Sequence, residues 1–355
     1  MKTLKKKSLL LLLMVILVVY SIGCSKAPEV ENDEVVEEEV VIEITDPDKD
    51  EEQIVAKEGI PSPLSGLYYP EELIDRRPIV IVFDNHSKAR PQAGLIEAEI
   101  AYEFLAEGDI TRYVGVFLAG EPKDIGGIRS ARPYLIQKAL EFDGYFVHVG
   151  YSPQGDLDIR NYKVNNINAL NRGNDVFWRK NHKYAPHNMY SSYEAIRRAV
   201  DSSKYRSECQ LVGYSFHEEL TDIEGKDASE IKIFYSSPYQ ASYIYNKDER
   251  IYYRYYNGKP HLDEITEEQL TASNIIIQVV KAKVVDSELR LEMETIGSGT
   301  GLYITKGKTM EITWKKDNYQ ALTKYYDEEG KELILNPGKT WIQVIKNIDY
   351  VTIIE

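Results

Sequence analysis

IGGIRSARPYLIQKALEFDGYFVHVG, residues 125–150, is the stretch whose reading decides the fold. Gly126 and Gly127 predict a tight turn. Ser130 is placed to cap a helix, and Pro133 suits a first helical turn. Leu135, Ile136, Ala139 and Leu140 then share one helical face. Tyr145 to Val149 follows as an apolar run between Gly144 and Gly150, the pattern of a buried strand. Arg129 and Arg132 therefore fall where the helix begins. A helix N-terminus already carries partial positive charge and unpaired N–H groups. Two guanidiniums added there predict a local site for phosphate, sulfate or carboxylate.

Upstream, Ile79 to Phe83 is a five-residue apolar run typical of a central strand, and it ends in Asp84-Asn85-His86. Polar residues at the end of a buried strand are where α/β folds place sites. A loop containing Arg90 follows, then strands over Ile100 to Phe104 and Thr111 to Leu118, the second carrying Arg112. Downstream, Ser152 to Asn188 is rich in Asn, Asp and Gly and reads as one long irregular segment. It holds His182 and the run Ala185-Pro186-His187-Asn188. A helix capped by Ser191 or Ser192 runs to Val200.

Between Asp201 and Lys232 the composition shifts towards tyrosine and β-branched residues. Strands are expected at Ile251 to Tyr256, Asn274 to Val284, Glu288 to Glu294, Met310 to Trp314, Leu322 to Tyr326 and Thr340 to Val344. Asn257-Gly258 is a hairpin signal, and Thr266 to Leu270 reads as one short helix. The fold class is α+β: a mixed α/β N-terminal domain over residues 61–215, then a mainly β C-terminal domain over residues 229–351.

The N-terminus reads as a targeting segment. Lys2, Lys5, Lys6 and Lys7 precede an apolar core from Leu9 to Val19 that is short for a spanning helix. Ser21-Ile22-Gly23-Cys24 resembles the lipobox of bacterial lipoproteins, although a leucine is usual where Ser21 stands. The resemblance implies a lipoprotein signal peptide over residues 1–24 and lipidation of Cys24; two acyl chains are enough for stable anchoring. Residues 25–60 are strongly acidic and read as a disordered tether. The chain has two cysteines, Cys24 and Cys209, so lipidation of the first leaves no intramolecular disulfide. The formal net charge of −14 argues against nucleic acid as a partner and against general attraction to anionic polymers.

Four stretches, RPIVIVFDNHSKARPQAGL, YEFLAEGDITRYVGVF, the 125–150 run and YAPHNMYSS, resemble the YerB-type lipoprotein family of Gram-positive bacteria. ELILNPGKTWIQVI is similar to the end of that family's second domain. The resemblance implies a two-domain lipoprotein of the cell envelope, anchored on the outer face of the cytoplasmic membrane, and supplies no reaction.

The sharpest constellation is Arg112, Arg129, Arg132 and Arg90 with Asn85 and Ser130, read as a ligand-binding group. The alternative is that these arginines pair with Asp84, Glu103 or Glu107 and hold the domain together. For proton transfer the candidates are Asp84, His148 and His187, with Asp84 orienting either histidine. His182 and His187 have weak spacing for zinc, so no metal and no cofactor is expected. Without a recognisable catalytic motif, the sequence favours an accessory binding module for an anionic wall precursor, a glycopolymer or an envelope protein. The alternative is an envelope enzyme acting on a phosphorylated or glycan substrate.

Overall fold

The computed structural model describes residues 58–355; Cys24, the 1–24 signal segment and the tether as far as residue 57 lie outside the described residues. Ile79–Asp84 forms β1, buried at every position. Its Ile-Val-Ile-Val run suits a strand covered on both faces. Ile100–Glu107 (β2) and Ile110–Phe117 (β3) make a hairpin, and β3 lies antiparallel to β1. Pro133–Glu141 is α1, and Tyr145–His148 is β4, parallel to β1. Pro153–Asn161 (α2) leads to Asn166–Asn168 (β5), parallel to β4. Met189–Ser191 (β6) then enters Tyr193–Asp201 (α3), capped by Ser192, whose Oγ accepts from the Ala195 N–H at 3.1 Å.

The C-terminal part is strand after strand. Glu230–Ser236 (β7), Tyr239–Asn246 (β8) and Ile251–Tyr256 (β9) form an antiparallel meander. Asn257 and Gly258 both take positive φ, as the hairpin signal requires, and Lys259–Pro260 turns back onto β9. Asn274–Val279 (β10), Gly297–Thr305 (β11), Lys308–Lys316 (β12), Thr340–Ile345 (β13) and Val351–Ile354 (β14) complete the long strands.

One sheet of eleven strands includes the order β12-β11-β10-β13-β2-β3-β1-β4-β5. At its centre β13 runs parallel to β10 on one side and to β2 on the other, with Thr340 opposite both Asn274 and Ile100. Strands from the two ends of the chain therefore share backbone hydrogen bonds. A second, six-stranded sheet contains β9-β8-β7-β14. The molecule is strand-rich, and its two chain segments contribute to one apolar core.

Local expectations differ from the structure in four places. The loop-rich reading of residues 152–188 missed α2. Ser152 caps it by accepting from the Gly155 N–H at 3.1 Å, and Pro153 occupies the first turn. The expected helix at Thr266 to Leu270 is not formed, because Asp263 Oδ1 accepts the Ile265 N–H at 2.9 Å and holds a turn instead. Ser130 does not cap α1; Arg132 holds that position without a side-chain cap, and the chain before it is extended. Gly126 lies in a short strand paired with β6, not in a tight turn.

Candidate functional site

Asp84 closes β1 and is 2% exposed. The segment carrying Arg129 is threaded beside it. Gly127 O accepts from the Asp84 N–H at 2.9 Å, the Arg129 N–H donates to Val82 O at 2.8 Å, and the Ile128 N–H donates to Met189 O at 2.8 Å. The glycines are there for close approach. A Cβ on Gly126 would lie 2.2 Å from the Tyr190 ring, and one on Gly127 would lie 2.6 Å from the His187 carbonyl oxygen. The result brings His187 and Arg129 onto one carboxylate. His187 Nδ1 is 2.7 Å and Arg129 Nε 3.4 Å from Asp84 Oδ2, while Asp84 Oδ1 accepts the His86 N–H at 2.9 Å.

His86 stacks on His187, with ring centroids 4.3 Å apart and 14° between planes. Burial, then the neighbouring His187, lowers its pKa below the ordinary imidazole value; the Asp84 charge opposes this, and Lys88 and Arg129 add to the lowering. Its Nδ1 accepts the Lys88 N–H at 3.2 Å, so the neutral ring carries its proton on Nε2. His187 has the opposite tautomer when neutral: Nδ1–H points at Asp84 and the lone pair sits on Nε2. The Arg129 side chain is 25% exposed. Its terminal nitrogens, and Nε2 of both histidines, have no hydrogen-bond partner among the described residues.

The other expected residues stand elsewhere. Arg112 and Arg132 both pair with Glu107 Oε1, Arg112 at 2.9 Å. Burial would raise the Glu107 carboxyl, but the two guanidiniums outweigh it and hold the carboxyl below its usual range. Ser130 contributes its carbonyl oxygen to Arg112 at 3.2 Å. Arg90 is bound to Asn85 by its Nε at 2.8 Å and lies over the Tyr239 and Tyr256 rings. Asn85 donates onward to Thr111 Oγ1 at 2.7 Å. His148 is fully buried; its Nδ1 is 2.8 Å from Gly150 O, its Nε2 is 3.2 Å from Asn166 Oδ1, and burial lowers its pKa. Of the proton-transfer candidates, the structure joins Asp84 and His187 and leaves His148 apart. Cavities of about 510, 820 and 760 Å³ have other linings, and only the third touches an expected residue, Arg132.

Sequence reasoning placed His86 in the polar strand end after Ile79 to Phe83 but gave it no role. It also missed the buried network behind the site. Gln92 Nε2 donates to Asp84 O at 2.8 Å, and Gln92 Oε1 receives His261 Nε2 at 2.9 Å. Arg254 then donates to His261 Nδ1 at 3.0 Å and to Glu103 Oε2 at 2.5 Å. Glu264 binds Lys183, Tyr190 and His182, tying the His187 loop to the C-terminal segment. These partners are far apart in sequence and carry no local motif.

Comparison with known proteins gives a consistent answer. Residues 64–206 match the N-terminal domain, and residues 231–342 the C-terminal domain, of the protein family of unknown function DUF3048. The chain is 32% identical over 296 residues to YerB of Bacillus subtilis (strain 168), a relative whose name proposes a lipoprotein, covering 82% of this chain and 88% of YerB. It is also similar to the crystal structure of Bacillus subtilis YerB, with a TM-score of 0.77 and 30% identity, covering 83% of this chain and all of that one. The chain belongs to the YerB-type, DUF3048 family.

Proposed function

We propose that this protein is a lipid-anchored module on the outer face of the cytoplasmic membrane that binds an anionic ligand, such as a wall precursor or glycopolymer, at Arg129, His86 and His187. The observation that carries this reading is the Arg129 guanidinium. It is a quarter exposed and meets Asp84 through Nε at 3.4 Å, and its terminal nitrogens make no hydrogen bond among the described residues. Two imidazoles stand beside the same carboxylate and add donors when protonated. Arg90, Arg112 and Arg132, by contrast, are occupied by protein partners. Recognition is favoured over catalysis because His148 is sealed inside the fold and Asp84 and His187 do not line the larger cavities.

Titration with inorganic phosphate, followed by calorimetry, tests the site. Arg129→Ala is expected to weaken binding by at least tenfold, the worth of a charge-assisted contact. Equal affinity in wild type and variant, or no binding by wild type, would sink the reading. The anchor rests on Lys2 to Cys24 and on the name of the relative. Cys24→Ala is expected to move the protein from the membrane fraction to the soluble fraction; unchanged fractionation would count against it.

A further inference from the structure

The anion site contains an acceptor as well as donors, and the two are fixed by different neighbours. Asp84 is nearly fully buried and takes the Nδ1–H of His187, so the neutral ring offers a lone pair at Nε2. The Lys88 N–H occupies Nδ1 of His86, so that ring offers an N–H at Nε2. Arg129 offers only donors. His187 Nδ1 and Arg129 Nε both lie against Asp84 Oδ2. His187 and Arg129 thus meet on one carboxylate oxygen, and the His86 ring lies against the His187 ring, which gathers the three side chains around Asp84.

A bare phosphate diester has only acceptor oxygens and leaves the His187 lone pair unused. A hydroxyl close to the phosphate supplies the missing donor. We propose that the ligand is a phosphate ester of a polyol or sugar, with the phosphate on Arg129 and His86 and a neighbouring hydroxyl donating to His187 Nε2. In this assignment His187 is the specificity-determining residue and Asp84 is the positioning residue that sets its tautomer. The inference rests on the proposed anion site and narrows its ligand.

The test compares methyl phosphate with glycerol 1-phosphate, which carry the same charged group and differ in hydroxyls. At pH 8 the wild type is expected to bind glycerol 1-phosphate roughly three- to tenfold more tightly, the range of one neutral hydrogen bond. His187→Phe keeps an aromatic ring for His86 to stack on and removes the acceptor. It is expected to abolish the preference for glycerol 1-phosphate over methyl phosphate. The wild-type comparison at pH 8 is a readout that needs no variant. Equal affinities for the two phosphates at pH 8, or a preference that survives His187→Phe, would overturn the ligand assignment and leave the anion site standing. Failure of both phosphates to bind would overturn the anion site itself.

Discussion

At the scale of single residues, Asp84, Glu107 and Glu103 each meet arginines in this fold, with different consequences. Asp84 accepts hydrogen bonds from His187 and the His86 N–H and forms an ion pair with Arg129. Removing Arg129 leaves both hydrogen bonds in place, so the proposed binding residue can change without exposing a bare charge. Glu107 is shared by Arg112 and Arg132 and serves to keep two like charges together. Glu103 and Arg254 are both fully enclosed, with side-chain exposures of 0% and 0%. Around Arg254 the Trp341 ring lies 4.3 Å away, and Tyr113 and Tyr243 each 5.4 Å away. Arg254→Ala would leave the Glu103 charge with only the Thr111 and Asn85 side chains as donors, plus a void among the aromatic rings. The expected cost is about 3–5 kcal/mol, because a buried charge that loses its partner cannot regain water. Urea unfolding measures it, and a loss below about 1 kcal/mol would show that the pair is not the enclosed contact described. Glu103→Gln combined with Arg254→Met is expected to recover part of the loss, since it removes both charges together.

At the scale of elements, what could be read from the sequence followed from how local the cause was. β1 was legible because Ile79 to Phe83 is apolar without interruption, and the β9 turn because Asn257-Gly258 suits a backbone with two positive φ angles. α2 was not, because its residues, PQGDLDIRN, are poor helix formers with a weak apolar stripe; its Ser152 cap and Pro153 start carry the signal. The Gly126-Gly127 pair was visible but misread, since a turn and a close approach both call for glycine. Only the Tyr190 ring and the His187 carbonyl, sixty or more positions away, decide between them. The candidate site divides in the same way. Asp84 at a strand end could be picked out, and its pairing with a histidine anticipated. The choice of His187 over His148 depended on which of the two the fold seals in.

At the scale of the whole molecule, the composition change between Asp201 and Lys232 marks where the chain leaves one set of strands for another, and the two family matches stop and start around it. The backbone pairing tells a different story about cooperativity. β13, near the C-terminus, is buried at all six positions and fills the gap between β10 and β2. The Glu103–Arg254 pair, the Gln92–His261 bond and the Lys183–Glu264 pair all cross from the first segment to the second. A fragment of residues 229–355 would keep β10 beside β13 but lose β2. One long edge of β13 would then present unpaired N–H and C=O groups along an apolar strand, an arrangement prone to edge-to-edge association. Arg254 would also lose Glu103 and keep its burial cost. The fragment is therefore expected to elute as oligomers or aggregate, with weak near-ultraviolet circular dichroism, while the chain from residue 58 to residue 355 is monomeric and unfolds in one transition. Adding a separately produced fragment of residues 58–215 should restore the near-ultraviolet signal, because it supplies β2 and Glu103. A monodisperse 229–355 fragment that unfolds cooperatively at the melting temperature of the longer chain would show instead that the shared sheet joins two units that each fold alone.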